Sequence, residues 1–528
     1  MFPISNQKHE EKIWTHRRMV MEKVSAEVNA GTPQAAKGVF EYLIKNLQAR
    51  GKPARKTLFG YVAAWAAFAV ILWGVDISSV IPTYSAKAVL AVIVWASIIW
   101  ITDAIPGGVS GLMIPMLLVV TKAVPKIPEA FGGYVLDVSF LCLGAFIFGA
   151  ILWSANLDTR IALTVLSKMK STKVSKIILG LFSTCMGLAL VIPAAVARSA
   201  TLLPVVRGII DLFGETKAER DAKKAIVISA LVYAPMVGGI LFLTAHMPNV
   251  IMVGLFDKQI NIHISWIQWF WLHLPIAGLF PIMFWILKFF FKFQNVEVSG
   301  GIEKIETAKK ELGKTKNYEW VILLIFAFAA TMWALEDIHK IKTGMVTLMA
   351  LGVFFIPGIF PLKWKGIENK TIWGTWLLLG GALSMSAAMG STGLAKYLAA
   401  IIHPVVEGKG WIMVLFIMMA GTQFIRLGML SNVAAVAMLA PILLEMAPLL
   451  HMNPVAFTLL VANLDTFAFV MPTQITAAVI AYGTGTFSMS DYAKVGLPII
   501  IVAILWSIFV MAPWYALNGF PVWQPLVQ

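Results

Sequence analysis

The chain has 528 residues, of which 59% are hydrophobic and only 13% charged, about half the charged share of an average soluble domain. With a mean hydropathy of +0.81, this excludes an ordinary soluble enzyme or binding module and predicts an all-α polytopic membrane protein. The formal net charge of +15 does not argue for a nucleic-acid partner, because lysine and arginine gather between the apolar runs in the positive-inside pattern.

Residues 1–57 are rich in charge and lack the apolar core of a signal peptide, so they are expected to stay in the cytoplasm. Within them Thr32 can cap a helix with Pro33 at its first position, and Val39, Phe40, Leu43, Ile44 and Leu47 then share one face. That pattern reads as an amphipathic helix at the membrane surface; a solvated tail is the alternative. A first transmembrane region is assigned to 58–292. It opens with apolar runs near Leu58 to Val75, Ala86 to Ile101, Val109 to Val120 and Val135 to Trp153. The segment 177–212 follows, with Lys168 to Lys176 before it and Lys217 to Lys224 after it. Positive charge on both flanks predicts a re-entrant hairpin with Pro193 to Arg198 at its tip. Ile226 to Phe256, interrupted by Gly238-Gly239 and Met247-Pro248-Asn249, reads as a broken helix.

Residues 293–317 form a polar, lysine-bearing linker, and 318–516 form the second region. This region holds a second predicted hairpin at 411–448, then a segment from Pro454 to Tyr482 broken around Pro472, and a tail follows at 517–528. Counting crossings from a cytoplasmic N-terminus gives about eleven transmembrane helices plus the two hairpins. The hairpins then enter from opposite sides, as expected for two inverted repeats. Leu141-Cys142-Leu143-Gly144 and Leu377-Leu378-Leu379-Gly380 are alike, and each precedes its hairpin. Cys142 and Cys185 both sit in apolar runs and read as small core residues, with no disulfide framework and no metal site.

The two tips share an outline. Ser431-Asn432-Val433-Ala434-Ala435 runs on to Pro441, and Ala194-Ala195-Val196-Ala197-Arg198 runs on to Pro204. Hydrocarbon cannot satisfy a Ser-Asn pair, so these groups are expected to face protein, water or a ligand.

Several stretches together resemble the divalent anion/sodium symporter family. They are Trp100-Ile101-Thr102-Asp103-Ala104-Ile105-Pro106, the two Leu-x-Leu-Gly segments, Ser431 to Pro441, and Tyr482-Gly483-Thr484-Gly485 ahead of Val495-Gly496-Leu497-Pro498. Tyr233 to Gly239, leading to Pro248-Asn249, resembles that family's first broken-helix loop. The resemblance implies a scaffold domain that dimerises and a transport domain holding both hairpins and both broken helices. It implies an elevator movement in the lipid bilayer of a bacterial inner membrane. It also implies dicarboxylate substrates of the succinate, fumarate, malate and 2-oxoglutarate class, held by two Ser-Asn-Thr tips with sodium between each tip and its loop. The candidate substrate contacts are then Ser431, Asn432 and Val433 on one tip and Ala194, Ala195 and Val196 on the other. Arg198 lies behind the first tip, and His246, Pro248, Asn249 and Thr476 lie on the loops.

The departures from the family pattern bear on the coupling ion. The first tip has none of the three polar side chains, and the second keeps Ser431 and Asn432 but has Val433. The loop positions read His246-Met247-Pro248-Asn249 and Ile475-Thr476-Ala477-Ala478. Sodium ligands are thereby lost, with a residual sodium site at Ser431 and Asn432. Ala197-Arg198 resembles the exchanger members, and a guanidinium suits a carboxylate; Arg426 is a further candidate cation. The expected function is dicarboxylate exchange by a homodimer without obligatory sodium, and no other cofactor is implied. Two other readings stay open: a sodium-coupled dicarboxylate symporter, and another ion antiporter of the ion-transporter superfamily, for which Asp465 stands nearly alone as an intramembrane acid. Beside the ligand roles stand a structural role for Arg198, a core role for His246 and a helix-capping role for Ser431 and Asn432. No nucleophile with its base, and no metal cluster, marks an enzyme.

Overall fold

The structure is a computed structural model that describes residues 54–525, apart from positions 170, 191, 294, 299, 300, 359, 360, 362 and 430. The amphipathic helix expected between Thr32 and Leu47 lies outside the described residues. Within them the chain is helical, and one isolated bridge joins Lys173 to Glu297. Eight helices are long and apolar enough to cross a membrane, or nine if the bent pair Trp373–Ser391 and Leu394–Val406 is one span. The difference from about eleven spans lies in pieces such as Gly107–Val120 and Thr343–Phe354. At 14 and 12 residues and about 1.5 Å per residue, neither alone crosses roughly 30 Å of hydrocarbon. Cys142 and Cys185 are free and buried.

Some helices touch at the backbone. Gly107–Val120 lies against Trp373–Ser391, where a Cβ on Gly111 would sit 2.3 Å from the Leu377 carbonyl oxygen and one on Gly381 would sit 2.2 Å from the Gly111 oxygen. Without a hydrophobic driving force between helices in lipid, such close packing of small residues is what holds them together.

Two helical hairpins and two opened helices build the centre. The first hairpin is Val174–Ala189 followed by Ala195–Ile210, and the second is Trp411–Arg426 followed by Asn432–Leu449. The first opened helix runs through Ala234–Leu241, extends at Phe242 and again at His246 (φ −149°, ψ 129°), and resumes as Met247–Gln259 with Pro248 in its first turn. Gly238 and Gly239, read from sequence as an interruption, stay helical, and the opening comes just after them. The second runs through Pro454–Asn463 and Leu464–Phe467, extends at Ile475 (φ −135°, ψ 127°) and resumes as Thr476–Tyr482.

Opening a helix inside a membrane protein frees backbone groups that lipid cannot bond. Here amide side chains take them. Asn249 Nδ2 donates to the carbonyls of Gly239 (2.8 Å) and Phe242 (3.0 Å). In the second opening, Gln474 Oε1 accepts from the amides of Val470 (3.1 Å) and Met471 (2.7 Å), and Gln423 Nε2 donates to the Leu464 carbonyl at 2.6 Å. Each buried group left unpaired would cost roughly 1–3 kcal/mol.

Candidate substrate site

Four helices begin at one place. Ala194 precedes a 16-residue helix, Ser431 an 18-residue helix, His246 a 13-residue helix and Ile475 a short one of seven residues. Each of these four starting residues, with the residue after it, lines a single cavity of about 510 Å³. The first amides of a helix have no partner within it, and its dipole is positive at that end, so converging N-termini favour an anion. The first tip contributes Ala194, Ala195 and Val196, and the second Ser431, Asn432 and Val433; of the other residues expected from sequence, His246 and Thr476 line it as well. Trp153, Met236, Ile372 and Thr375 also line it. Met236 falls in the Tyr233 to Gly239 stretch already marked by the sequence, whereas Trp153, Ile372 and Thr375 lie in apolar runs away from the interrupted segments and carry no such signal.

Ser431 caps its helix, with its Oγ accepting from the Ala434 amide at 3.3 Å. Asn432 is turned by its neighbours: its Oδ1 accepts from Arg426 Nη2 at 2.7 Å, while its Nδ2 lies 3.4 Å from His246 Nε2. His246 is nearly buried, at 7% exposure, and so bridges the loop of one half to the tip of the other.

Three expected contacts fall elsewhere. Pro248 and Asn249 are buried within the first opened helix, and the Asn249 side chain is spent on the two carbonyls named above. Arg198 is fully buried and lies behind the first tip, not in the cavity wall. Its Nη1 donates to the carbonyls of Ile192 (2.6 Å) and Ala245 (3.0 Å), and its Nη2 to that of Pro235 (2.7 Å). A helical side chain leans toward the N-terminus, which carries the guanidinium back to the level of the tip.

Arg426 repeats this arrangement in the other half. It too is fully buried, and it donates to the carbonyls of Met429 (2.8 Å) and Gln474 (3.0 Å). Ile192 and Met429 each lie just ahead of a tip, and Ala245 and Gln474 each end the turn before a resumed helix. Each half therefore clamps its tip to its loop with one guanidinium. The clamps differ in charge: Arg426 Nε pairs with Asp465 Oδ1 at 2.8 Å with both side chains fully buried, whereas no ion pair to Arg198 occurs among the described residues. Asp465 is thus part of an ion pair and not a free intramembrane acid.

Water should reach both tips. Val196 is 37% exposed, and a cysteine there or at Asn432 is expected to react with a charged, membrane-impermeant maleimide. Labelling only by lipid-soluble reagents would show that the tips lie in hydrocarbon.

Known proteins share this chain's sequence over most of its length. The family model described as the sodium:sulfate symporter transmembrane region matches residues 56–520. A relative from Staphylococcus saprophyticus, named sodium-dependent dicarboxylate transporter SdcS, is 27% identical over 464 residues, covering 83% of this chain and 88% of the relative. A relative from Cupriavidus necator, described as a membrane protein, is 27% identical over 440 residues, 80% of this chain and 85% of its own. Among solved structures, the Alcanivorax borkumensis YdaH transporter aligns with a TM-score of 0.49 and 12% identity over 74% of this chain and 88% of that one. With its family match spanning both hairpins and both opened helices, the chain belongs to the sodium:sulfate symporter family of membrane proteins.

Proposed function

We propose that the protein is a secondary active transporter that exchanges small dicarboxylates, of the succinate, fumarate, malate and 2-oxoglutarate class, without obligatory sodium. The convergence of helix N-termini from both halves on one cavity supports an anionic cargo. Its volume of about 510 Å³ falls within the usual range for small-molecule sites. The name of the staphylococcal relative supports dicarboxylates in particular.

The observation that carries exchange is the pair of guanidinium clamps. In transporters built from broken helices, sodium is held largely by carbonyls of the unwound backbone. Here Ile192 and Ala245 in one half, and Met429 and Gln474 in the other, already give their carbonyls to arginine. A fixed cation takes the place of a mobile one. It cannot leave with the cargo, so an empty carrier returns with an uncompensated buried charge, which is slow. We place both hairpins and both opened helices in one moving body that travels as an elevator against the remaining helices, within a homodimer and with the N-terminus in the cytoplasm. Sodium symport is the second reading, supported by the relative's name and by Ser431 and Asn432 at the second tip.

Uptake into proteoliposomes, with and without internal dicarboxylate and in sodium or choline buffer, separates the two. Exchange predicts uptake that needs internal substrate and is indifferent to sodium. Strong sodium-driven uptake into empty vesicles would restore symport.

A further inference from the structure

We propose that Arg426 and Asp465 are positioning residues for recognition at the second tip: together they lock the Asn432 amide so that it offers the substrate an N–H donor and never its carbonyl. This rests on the reading that the cavity binds an organic anion. A guanidinium has donors only, so the amide edge facing Arg426 must be the oxygen, at 2.7 Å. The opposite edge, Nδ2, is left toward His246 and the cavity that both residues line.

The guanidinium itself has no freedom. One nitrogen bonds Met429 ahead of the tip, another bonds Gln474 in the loop, and the third pairs with Asp465 in the opened helix. Gln474 closes the frame by donating from its Nε2 to the Arg426 carbonyl at 2.9 Å. Three elements thus hold one amide, and Arg426, Asp465 and Gln474 are fully buried.

Without the lock the amide is free to turn its carbonyl toward a substrate carboxylate, or to be held that way by its neighbours, and binding must then bear the cost of turning it back. A locked one is already arranged for the anion and loses no binding free energy to reorientation. The Nδ2 contact with His246 Nε2 is long, at 3.4 Å, so a substrate carboxylate displaces a weak partner. The first tip has no counterpart to this device. Arg198 clamps it in the same way, but Ala194, Ala195 and Val196 have no polar side chain to orient. The two ends of a bound substrate are therefore held unequally, one by backbone amides alone and the other by an oriented side chain as well.

The test uses the full chain, purified in detergent for equilibrium binding of radiolabelled succinate and reconstituted for counterflow. Asn432→Asp keeps the shape and keeps an oxygen for Arg426, but replaces the donor with a second oxygen. It is expected to hold the unfolding temperature of the parent and to weaken binding by about 10- to 100-fold. Parent-like binding by Asn432→Asp would mean that Asn432 serves only to satisfy Arg426, and would overturn the proposal. The paired change Arg426→Gln with Asp465→Asn removes the lock without stranding a buried charge. It should raise the KM for exchange about tenfold and leave kcat within about twofold, while Arg426→Lys, which keeps a cation beside Asp465, should recover most of the loss. An unchanged KM in the folded double variant also overturns it. Failure of the carrier reading has a different signature: the parent protein itself would neither bind nor exchange succinate. The Asn432→Asp comparison is then read with inorganic sulfate, and equal sulfate binding, or none by the parent, overturns the positioning role as well.

Discussion

Gly496→Ala is expected to give a protein that reaches the membrane but exchanges its substrate at less than a tenth of the parental rate. Gly496 lies in the helix Met489–Trp506, and a Cβ there would sit 1.8 Å from the carbonyl oxygen of Phe469 and 2.9 Å from its Cβ. The first of these atoms is backbone, so no rotamer change relieves the contact. Phe469 lies between Asp465 and Gln474 in the second opening, and its ring packs on Tyr233 of the other opened helix at 4.7 Å. Pushing it aside moves two of the partners that fix Arg426, and through Arg426 the Asn432 amide. Overpacking of this kind costs about 1–3 kcal/mol, which lowers the unfolding temperature by a few degrees. Gly208→Ala is the control, since nothing lies within 4 Å of its Cβ position and alanine favours a helix by up to about 1 kcal/mol. Thermal unfolding in detergent, together with counterflow, should separate the two variants. If Gly496→Ala behaves like Gly208→Ala in both, the close approach is dispensable.

The tips and the opened helices were legible because membranes are strict about polar groups. Ser431-Asn432 in an apolar context, and Pro248 and Pro472 inside apolar segments, are each hard to explain unless the chain turns or unwinds there. Helix count was less legible, because apolar runs such as Gly107–Val120 fall short of a full span. What sequence could not give is the direction of a side chain on a known element. Arg198 follows the first tip by about one turn and is equally consistent with pointing into the cavity or back at the loop; only the fold places Ile192, Ala245 and Pro235 around it. The same holds for Asn249, whose amide closes its own opened helix. The pairing of Arg426 with Asp465 joins residues far apart in the chain, and no periodic pattern connects them. Polar residues in a membrane interior announce that something is satisfied there, but not whether a ligand or the protein's own backbone does it.

The charge difference between the two clamps makes Arg198 the place to test exchange. Arg426 pairs with Asp465, and among the described residues Arg198 has no ionic partner, so under the proposed exchange mechanism Arg198 is the fixed charge that an empty carrier would take across. Moving an uncompensated charge costs several kcal/mol, and each 1.4 kcal/mol is a factor of about ten in rate. Arg198→Gln keeps a donor for one carbonyl and removes the charge. Its expected result is weaker substrate binding and slower exchange, with the ratio of net uptake into empty vesicles to exchange raised about tenfold or more. Arg198→Lys separates charge from geometry, because an ammonium cannot span the carbonyls of Ile192, Ala245 and Pro235 as the planar fork does. It should lower the unfolding temperature and both rates, yet leave their ratio close to that of the parent, since the charge is still there. A ratio that stays at the parental value in monodisperse Arg198→Gln protein would show that the return of the empty carrier is limited by something other than this cation, and the fixed-charge account of exchange would fail with it.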